Sequence, residues 1–205
     1  MKKIVFAVVL LSVFGISNAQ EKSNKVSDVK FGAKGGINFA KLVGDDASDE
    51  KTFVGFNAGF FAEIPLTEKL VFQPEILYSA QGSKSEGIID GYYVDATFNF
   101  NYINIPLLLK YKITDKFSLE AGPYVGFLTN AKLKFKVRGL GSDSLDVKDI
   151  IKSTDFGLGL GMNYEFSDVI FANARYQAGL TEIGDAEAGN GIKNSVFQLG
   201  LGFRF

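Results

Sequence analysis

The chain has 205 residues, 22 of them basic and 23 acidic for a net charge of -1, and contains neither cysteine nor histidine. Without cysteine there is no disulfide, thiol nucleophile, thiolate-bound metal or lipoprotein anchor, and without histidine the commonest general base and metal ligand are missing. The near-neutral balance offers no basic footprint for nucleic acid, and no cofactor or metal is expected.

In chain order, residues 1–19 read as a secretory signal peptide. MKK precedes an apolar run over 4–16 that is too short to span a bilayer, and Ser17, Asn18 and Ala19 then form a small-residue cleavage site. A polar leader follows at 20–28, and 29–205 form one patterned domain. No later segment has 18 uninterrupted apolar residues, so a transmembrane helix is not expected.

Eight strands are predicted from period-two alternation, at 29–39, 53–64, 70–81, 96–113, 117–138, 154–166, 170–180 and 194–205. Pro74 removes a ladder donor, so a bulge or a gap in pairing is expected there. In the fourth strand Phe98, Phe100 and Tyr102 share one parity and Ile105, Leu107, Leu109 and Tyr111 the other, which predicts a β-bulge between Tyr102 and Ile105. The connections alternate long and short, with long ones at 40–52, 82–95, 139–153 and 181–193. The fold class that follows is all-β, an eight-stranded antiparallel up-and-down transmembrane β-barrel of outer-membrane type.

Parity alone does not say which face is inside, and a soluble lipocalin-like barrel would reverse the assignment. The polar face is rich in glycine (Gly157, Gly159, Gly161, Gly200, Gly202), which suits a narrow lumen better than a soluble surface. Apolar-out is therefore the expectation, with a terminal strand whose Phe203 and Phe205 face lipid. The inward set then holds Lys30, Lys34, Glu63, Glu75, Lys110, Lys112, Glu120, Glu165, Arg175 and Arg204, expected to form a salt-bridged plug. Past the membrane, Lys132, Lys134, Lys136 and Arg138 share one face of a projecting hairpin and form the candidate anion contact. The loop acids Asp45, Asp46, Asp49 and Glu50 lack the glycine and terminal glutamate of an EF-hand and read as solvated surface. A histidine-assisted hydrolase or acyltransferase has no base here, so an enzyme is not expected.

The segments KFGAKGGINFA, FQPEILYSAQG, YINIPLLLKY, FSLEAGPYVGFL, DFGLGLGMNYEF and FQLGLGFRF resemble the PorT-family, porin-like outer-membrane β-barrel proteins of Bacteroidetes-type bacteria. The resemblance covers essentially the whole mature chain, and YINIPLLLKY is its most specific part. It implies an integral outer-membrane barrel, a namesake associated with secretion, and no catalytic residues. Resemblance to outer-membrane proteins also implies that Phe203 and Phe205 belong to a signal read by the barrel-assembly machinery. The expected function is a structural or interaction role through extracellular loops, connected with secretion or envelope maintenance. The expected partners are outer-membrane lipid, lipopolysaccharide and a protein not identified by sequence. A narrow porin-like channel for ions or small solutes is the alternative.

Overall fold

Strand follows strand through turns that the sequence closes locally. In each of three short turns a hydroxyl accepts the backbone N–H groups two and three residues on: Thr67 from Lys69 and Leu70, Thr114 from Lys116 and Phe117, Ser167 from Val169 and Ile170. The computed structural model describes residues 28–44, 51–89, 92–137, 141–184 and 191–205. The expected signal peptide, the leader through residue 27, the acids at 45, 46, 49 and 50, and Arg138 lie outside the described residues.

The strands are β1 (Lys30–Val43), β2 (Lys51–Pro65), β3 (Leu70–Ile89), β4 (Tyr92–Lys112), β5 (Phe117–Val137), β6 (Gly141–Asp146), β7 (Thr154–Glu165), β8 (Ile170–Gly179) and β9 (Lys193–Arg204). Neighbours pair antiparallel, and the β4–β5 and β1–β9 pairings close β1-β2-β3-β4-β5-β7-β8-β9 into a ring of eight. A closed ring leaves no backbone edge at the level of the ring. β6 stands outside it and, among the described residues, pairs with the upper part of β5 alone.

The exterior is apolar and the interior polar, the inverse of a water-soluble domain. Leu160 is 64% exposed and Phe60 62%, whereas Arg175 and Glu120 are each 1% exposed. Lipid is the solvent that suits such a surface.

Three features depart from the expected strand map. First, residues 82–89 and 92–95 are strand rather than loop, held by an unbroken β3–β4 ladder from Leu77↔Asn104 to Ile89↔Tyr92. Neither lipid nor a core presses on both sides of that stretch, so its Gly, Ser and Asp content hides the ladder. Second, β4 carries no bulge between Tyr102 and Ile105, because its register with β3 is constant there. Its parity never slips; Phe100 and Tyr102 point inward and are fully buried, so it is the lumen that turns apolar. Third, the bulge sits on β5. Asn101 faces Asn130 while Tyr102 faces Leu128, so Thr129 is the extra residue, and its Oγ1 donates to the Asn101 carbonyl at 2.8 Å. Around Pro74 the pairing is interrupted on both sides without a change of register.

Candidate functional site

Strand alternation delivers charged side chains from separate strands to the middle of the bore. Arg175 of β8 meets Glu75 of β3 in a two-pronged pair, each nitrogen donating at 2.8 Å, and its Nε donates to Glu120 of β5 at 2.6 Å. Lys34 of β1 lies 3.3 Å from Glu75 and donates to the Asn173 carbonyl at 3.2 Å. Gln73 and Asn163 donate to Glu75 and Glu120 at 2.6 and 2.8 Å, and Asn173 also reaches Glu120. Two cations and two anions share this tier, so it is neutral. Its carboxylates are surrounded by donors, as buried ions require.

A second neutral tier lies at the short-turn end. Arg204 of β9 forks onto Glu63 of β2 (2.7 and 3.0 Å) and onto Glu165 of β7 (2.5 and 2.8 Å), and Lys110 of β4 adds a 2.7 Å bond to Glu63. Both cations lie against the Phe171 ring, the Lys110 ammonium 4.9 Å and the Arg204 guanidinium 4.5 Å from its centroid. Phe61 meets the same ring edge-on at 5.6 Å. Gly202 and Gly32 make room for the two rings, since a Cβ on either glycine would overlap an aromatic carbon. Beneath this tier a cavity of about 130 Å³ opens at the mouth, lined among others by Lys30, Lys112, Asp115, Ser118 and Asp168.

Lys30 and Lys112 therefore depart from the expected plug. Both are exposed at that mouth and make no ion pair among the described residues, because at the strand ends the lumen meets water. The other eight predicted lumen charges divide between the two tiers. Glu120 belongs to the inner one.

Towards the long-connection end the polar network gives way. Asn38 donates to Ser79 Oγ at 2.9 Å and accepts from Asn57 and Gln198, and Asp155 accepts from Tyr124 and Asn194. Above these groups Leu42, Phe100, Tyr102, Leu128, Ala131 and Ile183 form an apolar plug, with Val147, Ile151 and Ile192 packed on it. The ends of the neighbouring strands are tied there: Ser153 O accepts from Leu128, extending the β5–β7 ladder, and Ile183 O accepts from Lys152.

Beyond the plug, β3 to β6 continue as a four-stranded sheet. Lys132, Lys134 and Lys136 stand exposed on its outer face, opposite Asn99, Thr97 and Asp95 of β4 and Asp146, Ser144 and Ser142 of β6. Lys51 and Lys84 share that face and were hidden in stretches read as loop; the alternation of Lys84 and Glu86 with Ser83 and Ser85 was the available signal. Gln73, Asn163, Asn173 and Phe171 complete the tiers and are visible in sequence only as inward-parity residues. Phe203 and Phe205 lie on the outer face at the short-turn end, both exposed.

A family model described as outer membrane protein beta-barrel domain matches residues 18–185. Among solved structures, Ail of Yersinia pestis, in complex with the heparin analogue sucrose octasulfate, is similar at 17% identity and a TM-score of 0.54. The match covers 87% of this chain and all of that one. Neisserial surface protein A is similar at 11% identity and a TM-score of 0.53, over 87% of this chain and all of that one. No curated protein matches the chain.

Proposed function

The chain belongs to the outer membrane β-barrel domain family, and on that premise we propose that it is a closed-bore interaction protein, acting through the β3–β6 sheet at the cell surface. One observation carries the reading: the bore is occupied along its length by two ionic tiers and an apolar plug, while the ordered excess over a minimal barrel is concentrated in one sheet beyond the ring. An eight-stranded barrel has room for its own side chains and little more, which disfavours the porin-like alternative.

The sheet lies at the end of the long connections, the outside end in outer-membrane barrels. On this reading the chain arrives through a cleaved signal peptide and is inserted by the barrel-assembly machinery. It then serves secretion or envelope maintenance as a non-enzymatic partner, in the manner of the PorT-type proteins it resembles.

The absence of cysteine allows a direct test. Ser142→Cys, at the start of β6, is expected to react with a membrane-impermeant maleimide in intact cells, whereas Thr114→Cys in a short turn reacts only after lysis. The purified barrel is expected to give no resolved conductance steps in planar bilayers. Labelling in the opposite sense would overturn the surface role, and reproducible steps would restore the channel.

A further inference from the structure

The outward lysines of the β3–β6 sheet and of the adjoining β2 are one array with members from three strands, β2, β3 and β5. Lys134 of β5 is opposite Thr97 of β4, Thr97 is opposite Lys84 of β3, and Lys84 is opposite Lys51 of β2. Strands lie about 4.8 Å apart, so this row carries three ammonium groups across four neighbouring strands. Lys132 and Lys136 flank Lys134 about 7 Å away along β5. Like charges directly opposite each other destabilise a sheet. Glu86 takes up Lys51 at 2.6 Å, but Lys84, Lys132, Lys134 and Lys136 make no ion pair among the described residues. The acids on this face, Glu86, Asp95 and Asp146, lie in the adjoining rows and leave the Lys84–Thr97–Lys134 row without one.

The direction of the face narrows the ligand. Along β3 and β4 the register never shifts, so Lys84 and Thr97 continue the surface that carries Ile76, Tyr78, Ile103 and Leu107 lower down. The Thr129 bulge brings Lys132, Lys134 and Lys136 onto the same side. The lysines thus look sideways over the surrounding leaflet. Lys84 is six residues beyond Tyr78, about 20 Å along the strand and about 15 Å above the belt at the usual barrel tilt.

We infer that this face binds the phosphate groups of neighbouring lipopolysaccharide, with Lys84, Lys132, Lys134 and Lys136 as the cationic contacts and Lys51 held at the margin by Glu86. The inference rests on the surface reading above. Charge, height and sideways aspect all fit an anionic headgroup fixed in the adjoining leaflet, as polybasic segments fit anionic membranes.

The test uses the full chain refolded in nanodiscs of phosphatidylcholine, with lipopolysaccharide, with dephosphorylated lipopolysaccharide or with neither. Site-resolved lysine acetylation is expected to slow roughly fivefold at Lys84, Lys132, Lys134 and Lys136 only with the phosphorylated lipid. Lys30 and Lys112 at the far mouth should not change. A K84Q/K132Q/K134Q/K136Q variant should keep its heat-modifiable gel shift and retain several-fold less lipopolysaccharide through purification. Equal acetylation in all nanodiscs would overturn the inference, as would protection by soluble inorganic polyphosphate without protection by the lipid. If Ser142→Cys labels on intact cells in either of those cases, the surface role survives and only the lipid partner falls.

Discussion

Arg175 is the side chain on which the inner tier depends. It reaches from β8 and supplies three of the bonds that compensate Glu75 of β3 and Glu120 of β5, both buried and drawn from strands that only β4 separates. Removing one member of a buried ion network costs more than the network contributes, because the remaining charges stay desolvated. Arg175→Met is therefore expected to lower stability by about 3–5 kcal/mol, read from the urea midpoint in lipid vesicles. The double variant R175M/E120Q leaves the neutral Lys34–Glu75 pair and should recover more than half of that loss. A single variant as stable as the parent would mean that water already solvates the tier. These charges could be read from the sequence because the bilayer enforces strict parity. Their partners could not, since which strand ends face each other depends on the stagger of the closed ring, which no local pattern encodes.

At the scale of the element, β5 changes which parity faces inward, and the sequence carries that change without announcing it. Leu128 and Ala131 both point into the plug although they are three residues apart, so one residue has to be extra. Deleting Thr129 should leave a regular ladder with the same β4 pairing and the same lysine face. Deleting Thr129 and Asn130 together should turn Lys132, Lys134 and Lys136 over the apolar plug. Trypsin is expected to spare this stretch in the single deletion and to cut it in the double, since cleavage needs local opening. Equal resistance in both would refute the parity argument.

The same element shows where the sequence was legible and where it was not. Within the belt, lipid on one side and a polar lumen on the other make alternation regular, and all eight ring strands could be read. Above the belt those constraints lapse. Phe98, Phe100 and Tyr102 then mimic a slip in β4, Thr129 and Asn130 hide a true one in β5, and a ladder rich in Gly and Ser passes for loop.

For the whole molecule the outer belt sets the membrane it fits. From β1, where the outward apolar residues run from Phe31 to Phe39, to the β7 segment, where they run from Phe156 to Phe166, the belt is eight to ten residues tall. That spans about 26–33 Å along a strand and about 20–25 Å along the normal at the usual tilt, less than the ordinary bilayer's hydrocarbon thickness. The barrel is accordingly expected to melt several degrees higher in vesicles of twelve-carbon than of eighteen-carbon phosphatidylcholine, by gel-shift assay. A flat response across chain lengths would count against so short a belt.

Lipid sees only the alternation of side chains, and alternation is blind to a slip of two residues, which returns every apolar group to the outside. Arg204 is not blind to it. It reaches Glu63 two strands away on one side and Glu165 two strands away on the other, bridging the β1–β9 seam. A two-residue slip at the seam would carry its guanidinium about 7 Å from Glu63 while it keeps Glu165, breaking both of the bonds that span the seam. The second tier thus acts as a proofreader of ring closure, separating the native barrel from register isomers that the membrane itself would accept.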